Sequence, residues 1–138
     1  RSTLRSSSAA SDVYKRRTMN LFYSSIFDND PFQDAIDLRE VSDYFSNGRP
    51  VIYVGHSSGA MRAIVAATED TNAIAILGLD LTDGAYEDSD GEFLGLTYAR
   101  ISSIPIWGLL AEPSSCNANG NGINVYLEAE HGNAISIS

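Results

Sequence analysis

The stretch that most constrains the fold runs from residue 51 to residue 67 and reads VIYVGHSSGAMRAIVAA. Its first four residues are β-branched or aromatic, as is typical of a buried strand. The pattern G-x-S-x-G follows at 55–59, and beyond it the apolar residues recur at helical spacing. This stretch therefore predicts a strand, a sharp turn and a helix, with Ser57 at the turn.

A serine at such a turn carries its hydroxyl out above the carboxyl end of a sheet. The helix that begins there leaves backbone N–H groups free beside the hydroxyl, where the positive end of the helix dipole favours an oxyanion. Ser57 is therefore the candidate nucleophile, and the amide of Ser58 is the candidate oxyanion donor. The alternative interpretation is a Gly- and Ser-rich turn that joins a strand to a helix without any chemistry.

Other apolar runs extend this unit into an alternating pattern. Continuous apolar runs at 73–79 and 104–111 are typical of parallel strands buried on both faces. Helical spacing is found at 11–27, 32–45, 92–101 and 123–131, and residues 134–138 alternate as a strand does. An aromatic-rich strand is the alternative for residues 21–27. The sequence thus predicts an α/β fold with three layers, α/β/α, around a mainly parallel sheet.

The overall composition excludes several classes of function. Eighteen acidic residues against nine basic ones give a formal charge of −9, which disfavours nucleic acid as a partner. No apolar run is long enough to span a bilayer, so a soluble globular domain is predicted. The single cysteine, Cys116, leaves no intrachain disulfide. Nothing in the sequence indicates a compartment.

Neither a metal nor a cofactor is predicted. The acidic side chains of the helical pattern at 32–45 are expected to form a solvated face; they are Asp34, Asp37, Glu40 and Asp43. The exposed loop at 84–92 carries further acids but lacks the spacing of a calcium loop. Residues 1–10 are predicted to be a tail or linker and 11–138 the domain. The last strand ends without a cap, so we expect the sequence to be a piece of a longer protein.

The order of these parts resembles the C-terminal half of an α/β-hydrolase, especially the small esterases that include the chlorophyllases and dienelactone-hydrolase-like enzymes. The resemblance rests on GHSSGA at 55–60, LDLTDG at 79–84 and IPIWGLLAEPSSCN at 104–117. It implies that Ser57 is the nucleophile, with the Ser58 amide in the oxyanion hole. It also implies that Asp83, which matches the aspartate of the chlorophyllases' D-P-V-D-G pattern, orients a catalytic histidine.

The acid and the base are open at this point. Glu112 is the rival acid, because it follows the next strand, and a loop-capping role for Asp80 and Asp83 is the third alternative. His56 lies inside the turn and is interpreted as a packing residue. His131 precedes the last strand, whereas the base of the family follows it, so the resemblance implies a base beyond Ser138, with His131 as the alternative.

The predicted function is a serine hydrolase that cleaves a small-molecule carboxylic ester through an acyl-enzyme on Ser57. The alternative is a non-catalytic, hydrolase-like subunit that binds a partner or the rest of its parent chain. A nucleotide-binding or flavodoxin-like sheet is a weaker option, because the sequence has neither G-x-G-x-x-G nor a Walker pattern.

Overall fold

The computed structural model describes residues 30–84 and 91–137; the helix predicted at 11–27 and most of the acidic loop lie outside these residues. The described helices are α1 (Pro31–Ser46), α2 (Ser58–Thr68), α3 (Leu94–Ile101) and α4 (Ile123–Glu128). The described strands are β1 (Val51–His56), β2 (Ala73–Leu79), β3 (Ile106–Leu110) and β4 (Gly132–Ser136). A 3-10 helix, Ser115–Gly120, lies between β3 and α4.

The strands form one sheet in the order β1-β2-β3-β4, and each neighbouring pair is parallel. The predicted α/β fold with a parallel sheet is confirmed. Because all four strands run the same way, they end at one edge of the sheet, which we call the carboxyl edge; the opposite one is the amino edge. Ser57 follows β1 at the carboxyl edge, and Asp80 follows β2 there.

The described helices cover one face of this sheet. Helix α2 packs against β1 and β2, α4 packs against β3 and β4, and α3 contacts both α2 and α4. The core between them holds fully buried side chains from each layer, among them Ile64, Ile76, Ile106 and Val125. On the other face, Val54, Leu77 and Trp107 lie in register across three strands, and Val54 and Trp107 are exposed. The described residues thus contain one of the two predicted helical layers.

A pair of glycines makes room for the aromatic ring of α4. Gly78 of β2 and Gly108 of β3 are paired in register, and a Cβ at either position would collide with the side chain of Tyr126. Tyr126 is only 3% exposed, and its hydroxyl has no hydrogen-bond partner within 30–84 and 91–137. Burial, with a smaller contribution from the negative charge of Asp80, raises the pKa of Tyr126 to about 12. The Tyr126 ring therefore fills the space that side chains at positions 78 and 108 would occupy on the helix-covered face of the sheet.

A buried polar cluster near the amino edge joins β1 to the turn before β2. The Tyr53 hydroxyl donates to Asp70 Oδ2 at 2.8 Å, and the Ser42 hydroxyl donates to the same oxygen at 3.3 Å. Asp70 Oδ1 accepts the Asn72 N–H at 2.7 Å. Burial raises the pKa of Tyr53 well above its ordinary value. Since both oxygens of Asp70 are bonded, the cluster is satisfied and connects α1, β1 and the turn.

The predicted solvated face of α1 needs one correction. Asp34 is 6% exposed, and its Oδ2 accepts a hydrogen bond from Arg62 Nε at 2.5 Å. Arg62 also donates to the Ser58 carbonyl at 3.2 Å, so this pair connects α1 to the first turn of α2. The spacing of the acidic residues in α1 could not reveal this ion pair, because the arginine lies 28 residues away.

The strand and helix bounds differ from the predicted ones at a few ends. Strand β3 begins at Ile106, two residues later than predicted, after Pro105, which has no N–H to donate to a ladder. Helix α4 ends at Glu128 rather than 131, which lets β4 begin earlier, at Gly132. Within 30–84 and 91–137, no helix has the length and apolarity needed to cross a membrane.

Candidate functional site

Ser57 lies at the junction of β1 and α2 in a backbone conformation that L-residues rarely adopt. Its φ is 53° and its ψ is −129°, although it is not a glycine. The Ser57 N–H donates to the Leu79 carbonyl of β2 at 2.9 Å, and the Ser57 carbonyl accepts the Ala60 N–H at 3.0 Å. Such a conformation costs about 1–3 kcal/mol and persists only where the surroundings impose it. Here the neighbouring strand and the first turn of α2 impose it.

The two glycines that flank Ser57 differ in what they accommodate. A Cβ at Gly55 would lie 2.5 Å from Ala60 Cα and closer still to the Gly59 carbonyl, so only glycine fits where α2 crosses the end of β1. A Cβ at Gly59 would meet no atom within 4 Å. Of the two glycines in the G-x-S-x-G pattern, Gly55 alone is therefore required by a close approach of the backbone.

The Ser57 hydroxyl contacts a residue that the sequence analysis did not single out. Its Oγ donates to Thr82 Oγ1 at 3.4 Å, a long hydrogen bond across 25 residues of sequence. Ser57 and Thr82 are both half-buried. Ser58 is the first residue of α2, and intrahelical bonding leaves its N–H free. The carboxyl edge thus brings together a hydroxyl, a helix N-terminus and the loop that follows β2.

Asp83, the acid implied by the resemblance, lies in that loop with both oxygens bonded to backbone amides. Oδ1 accepts the N–H groups of Gly95 at 2.7 Å and Gly84 at 3.0 Å, and Oδ2 accepts the Leu96 N–H at 2.8 Å. Two of these donors belong to the first turn of α3, so the carboxylate caps that helix. Burial raises the pKa of Asp83 despite these bonds, because the residue is 6% exposed.

Asp80 is the first residue after β2, and its carboxylate has a different environment. Oδ1 accepts Asn117 Nδ2 at 3.0 Å and the Ala111 N–H at 3.2 Å. Within 30–84 and 91–137, no donor is bonded to Oδ2. Asp80 also has a positive φ, 47°, so two neighbouring strands are each followed by a residue in the left-handed region. From the sequence, Asp80 is expected only to cap a loop.

Glu112 and the two histidines lie apart from these contacts. The Glu112 side chain is exposed, and its backbone carbonyl accepts a hydrogen bond from Asn117 Nδ2 at 3.0 Å. His131 is exposed just before β4, at the amino edge and so at the opposite end of the sheet from Ser57. His56 is exposed at the end of β1, and by strand alternation it shares the open face with Val54. Neither histidine is placed as a partner of the Ser57 hydroxyl.

The position after strand β2 could have drawn attention to Asp80 from the sequence alone. Sites in parallel α/β sheets form at the carboxyl ends of strands, and Asp80 directly follows the strand next to that of the nucleophile. Within 30–84 and 91–137, no three His, Cys, Asp or Glu side chains come together as a group that could hold a metal ion.

Comparison with known proteins adds a likeness of fold. No family model matches the chain, and no curated protein matches it in sequence. Among solved structures, the chain is similar to the esterase domain of a Rhodothermus marinus protein, with a TM-score of 0.57 and 15% identity. The match covers 76% of this chain and 56% of that one, so the chain spans little more than half of the esterase domain.

Proposed function

We propose that this chain is the nucleophile-bearing part of a serine hydrolase that cleaves small carboxylic esters. The observation that carries the proposal is the conformation of Ser57, held at φ 53° between a parallel strand and a helix N-terminus at the carboxyl edge. Strained residues of this kind concentrate at functional sites. The likeness to an esterase domain supports the same reaction class.

In the proposed reaction, Ser57 Oγ attacks the ester carbonyl carbon while a histidine accepts the hydroxyl proton. The Ser58 N–H stabilises the resulting oxyanion. Collapse of the tetrahedral intermediate expels the alcohol, which takes the proton back from the imidazole, and water then releases the acid from the acyl-enzyme. Because His131 lies at the amino edge, the proposal assigns the base to a histidine outside these 138 residues.

The triad acid is proposed from the contacts at the carboxyl edge. The resemblance assigns it to Asp83, but the Asp83 oxygens already accept three backbone N–H groups. Asp80 keeps one oxygen without a donor in the described residues and lies beside the nucleophile strand. These contacts favour Asp80 as the carboxylate that orients the imidazole, with Asp83 as the cap of α3.

A second candidate function is that of a non-catalytic, hydrolase-like subunit. It is favoured by the bond from the Ser57 hydroxyl to Thr82 and by the positions of the two histidines. In such a subunit the strand, turn and helix around Ser57 would be retained for folding. The domain would bind another chain or another part of the same chain.

Labelling of the full-length protein with a fluorophosphonate probe distinguishes these functions. A serine hydrolase becomes covalently labelled, Ser57→Ala abolishes the labelling, and hydrolysis of a short-chain p-nitrophenyl ester falls by at least about 10³-fold. Ser58→Ala is the matched control, because it removes a neighbouring hydroxyl but keeps the N–H; it retains labelling. An unlabelled wild-type protein, or labelling that survives Ser57→Ala, would exclude the proposed reaction.

A further inference from the structure

Asn117, in the 3-10 helix after β3, is the most completely bonded polar side chain at the carboxyl edge. It is 2% exposed. Its Nδ2 donates to Asp80 Oδ1 and to the Glu112 carbonyl, both at 3.0 Å. Its Oδ1 accepts the N–H groups of Ser114 at 2.8 Å and Gly120 at 3.1 Å. Two donated hydrogens and two lone pairs use the whole capacity of the amide.

These bonds hold Asp80 by one oxygen only. Asn117 Nδ2 and the Ala111 N–H both donate to Oδ1, and no described residue donates to Oδ2. This asymmetry suits a triad carboxylate, because one oxygen is held in place while the other can accept the imidazole N–H. Asp83 lacks it, because each of its oxygens already accepts at least one backbone N–H.

We propose that Asn117 is a positioning residue that fixes the Asp80 carboxylate for the imidazole of the catalytic triad. This inference rests on the proposed hydrolase function and on Asp80 as its acid. The loop around Asn117 is built for a fixed geometry: Ala118 and Asn119 both have positive φ, 50° and 56°. The strain in these two residues and the hydrogen bonds of Asn117 together hold the amide in one place beside Asp80.

A purely structural role for Asn117 would give the same contacts, so the test needs a matched control. Asn121 provides it, because its side chain also joins this loop to the loop after β2. Its Nδ2 donates to the Asp83 carbonyl at 2.8 Å, and its Oδ1 accepts the Asp83 N–H at 3.1 Å. Asn117→Ala and Asn121→Ala each remove a bridge between the two loops, but only the first removes a hydrogen-bond donor from a carboxylate.

The experiment measures kcat, KM and the pH profile of ester hydrolysis by the full-length protein carrying each substitution. Asn117→Ala is expected to lower kcat by about 10–100-fold, by analogy with the loss seen when a residue that orients a metal ligand is removed. KM is expected to stay within about threefold, because no substrate contact is lost. The acid limb of kcat/KM should move to lower pH, because an imidazole without a fixed carboxylate loses its proton more easily. Asn121→Ala should change neither kcat nor the acid limb.

A double-mutant cycle with Asp80→Asn separates positioning from folding. If Asn117 acts through Asp80, then Asn117→Ala lowers kcat in the wild-type background and has no further effect in the Asp80→Asn background. Equal effects in the two backgrounds, or equal effects of Asn117→Ala and Asn121→Ala, would overturn the inference. Should circular dichroism show that Asn117→Ala is unfolded, Asn117→Ser takes its place in the same cycle. A wild-type protein without Ser57-dependent labelling would instead remove the proposed function.

Discussion

The two edges of the sheet both hold polar groups, but the backbone that carries them differs. At the amino edge, Tyr53 and Asp70 have negative φ, and every oxygen of the Asp70 carboxylate is bonded. At the carboxyl edge, Ser57 and Asp80 have φ of 53° and 47°. Each such residue costs about 1–3 kcal/mol. The two residues that follow strands with a positive φ thus lie at the edge of the candidate nucleophile, whereas the positive φ at the amino edge, 52° at Asn47, lies outside the polar cluster.

This difference teaches how the two edges divide their roles. The polar cluster at the amino edge, whose carboxylate oxygens are both hydrogen-bonded, adds to the free energy of unfolding. It leaves no carboxylate oxygen available for a ligand. A strained edge that holds a carboxylate oxygen without a donor among the described residues lowers that free energy and presents polar groups in fixed positions. We therefore expect substitutions at the amino edge to change stability alone, and well-chosen substitutions at the carboxyl edge to change activity alone.

The largest expected effect separates two aspartates of the carboxyl edge. Asp80→Asn keeps Oδ1 and both of its hydrogen bonds, so stability should change by less than about 0.5 kcal/mol. Ester hydrolysis should fall by about 10³–10⁴-fold, because the new NH₂ group cannot accept the imidazole N–H. Asp83→Asn should lower the free energy of unfolding by about 1–3 kcal/mol, because the amide offers one acceptor where the carboxylate offered two. Kinetics and urea denaturation check the pair; the reverse pattern would identify Asp83 as the acid.

The same pair differs in the pH dependence of unfolding. The pKa of Asp83 is raised above 3.8 by burial, so the folded state keeps this proton to higher pH than the unfolded state does. The free energy of unfolding therefore falls as pH rises from the ordinary carboxyl pKa through the raised one. Asp83→Asn should remove this part of the slope, and Asp80→Asn should preserve it. A slope unchanged by Asp83→Asn would contradict the assignment.

A smaller effect is expected from the two glycines that flank Ser57. Gly55→Ala forces a methyl group against the backbone of α2, and it should lower the free energy of unfolding by about 1–3 kcal/mol. Gly59→Ala places its methyl group in open space within a helix, and it should be neutral or stabilising by up to about 1 kcal/mol. Denaturation curves of the two variants check this prediction. Similar losses of stability from both would show that the backbone of α2 does not pack closely against Gly55.

The smallest effect is expected at the amino edge. Tyr53→Phe removes the hydrogen bond to Asp70 Oδ2, which still accepts from the Ser42 hydroxyl, so the cost should be about 1 kcal/mol. Ester hydrolysis and fluorophosphonate labelling should be unchanged at a temperature where the variant is folded. A loss of activity from this variant would mean that the two edges are coupled, which would break the division of roles.

Local sequence patterns were sufficient to predict the strand, the turn and the helix around Ser57. The apolar run at 51–54 and the glycine at 55 are contiguous, so their joint effect can be read without tertiary information. The contacts of Asp80 could not be predicted in this way, because Asn117 lies 37 residues further along the chain. The contact between Ser57 and Thr82 is also non-local. The sequence therefore located the candidate nucleophile but left the choice of acid open between Asp83, Glu112 and neither.

Tyr126 on its two glycines makes three distant positions depend on one another. Since the ring occupies the space of two missing side chains, a methyl group at Gly78 or Gly108 can be accepted only if the residue at 126 becomes smaller. A single exchange at any of the three is expected to be harmful, whereas a joint exchange can conserve the volume of this layer. In related sequences these positions should accordingly vary together, and a library that randomises them one at a time would miss the combinations that fold.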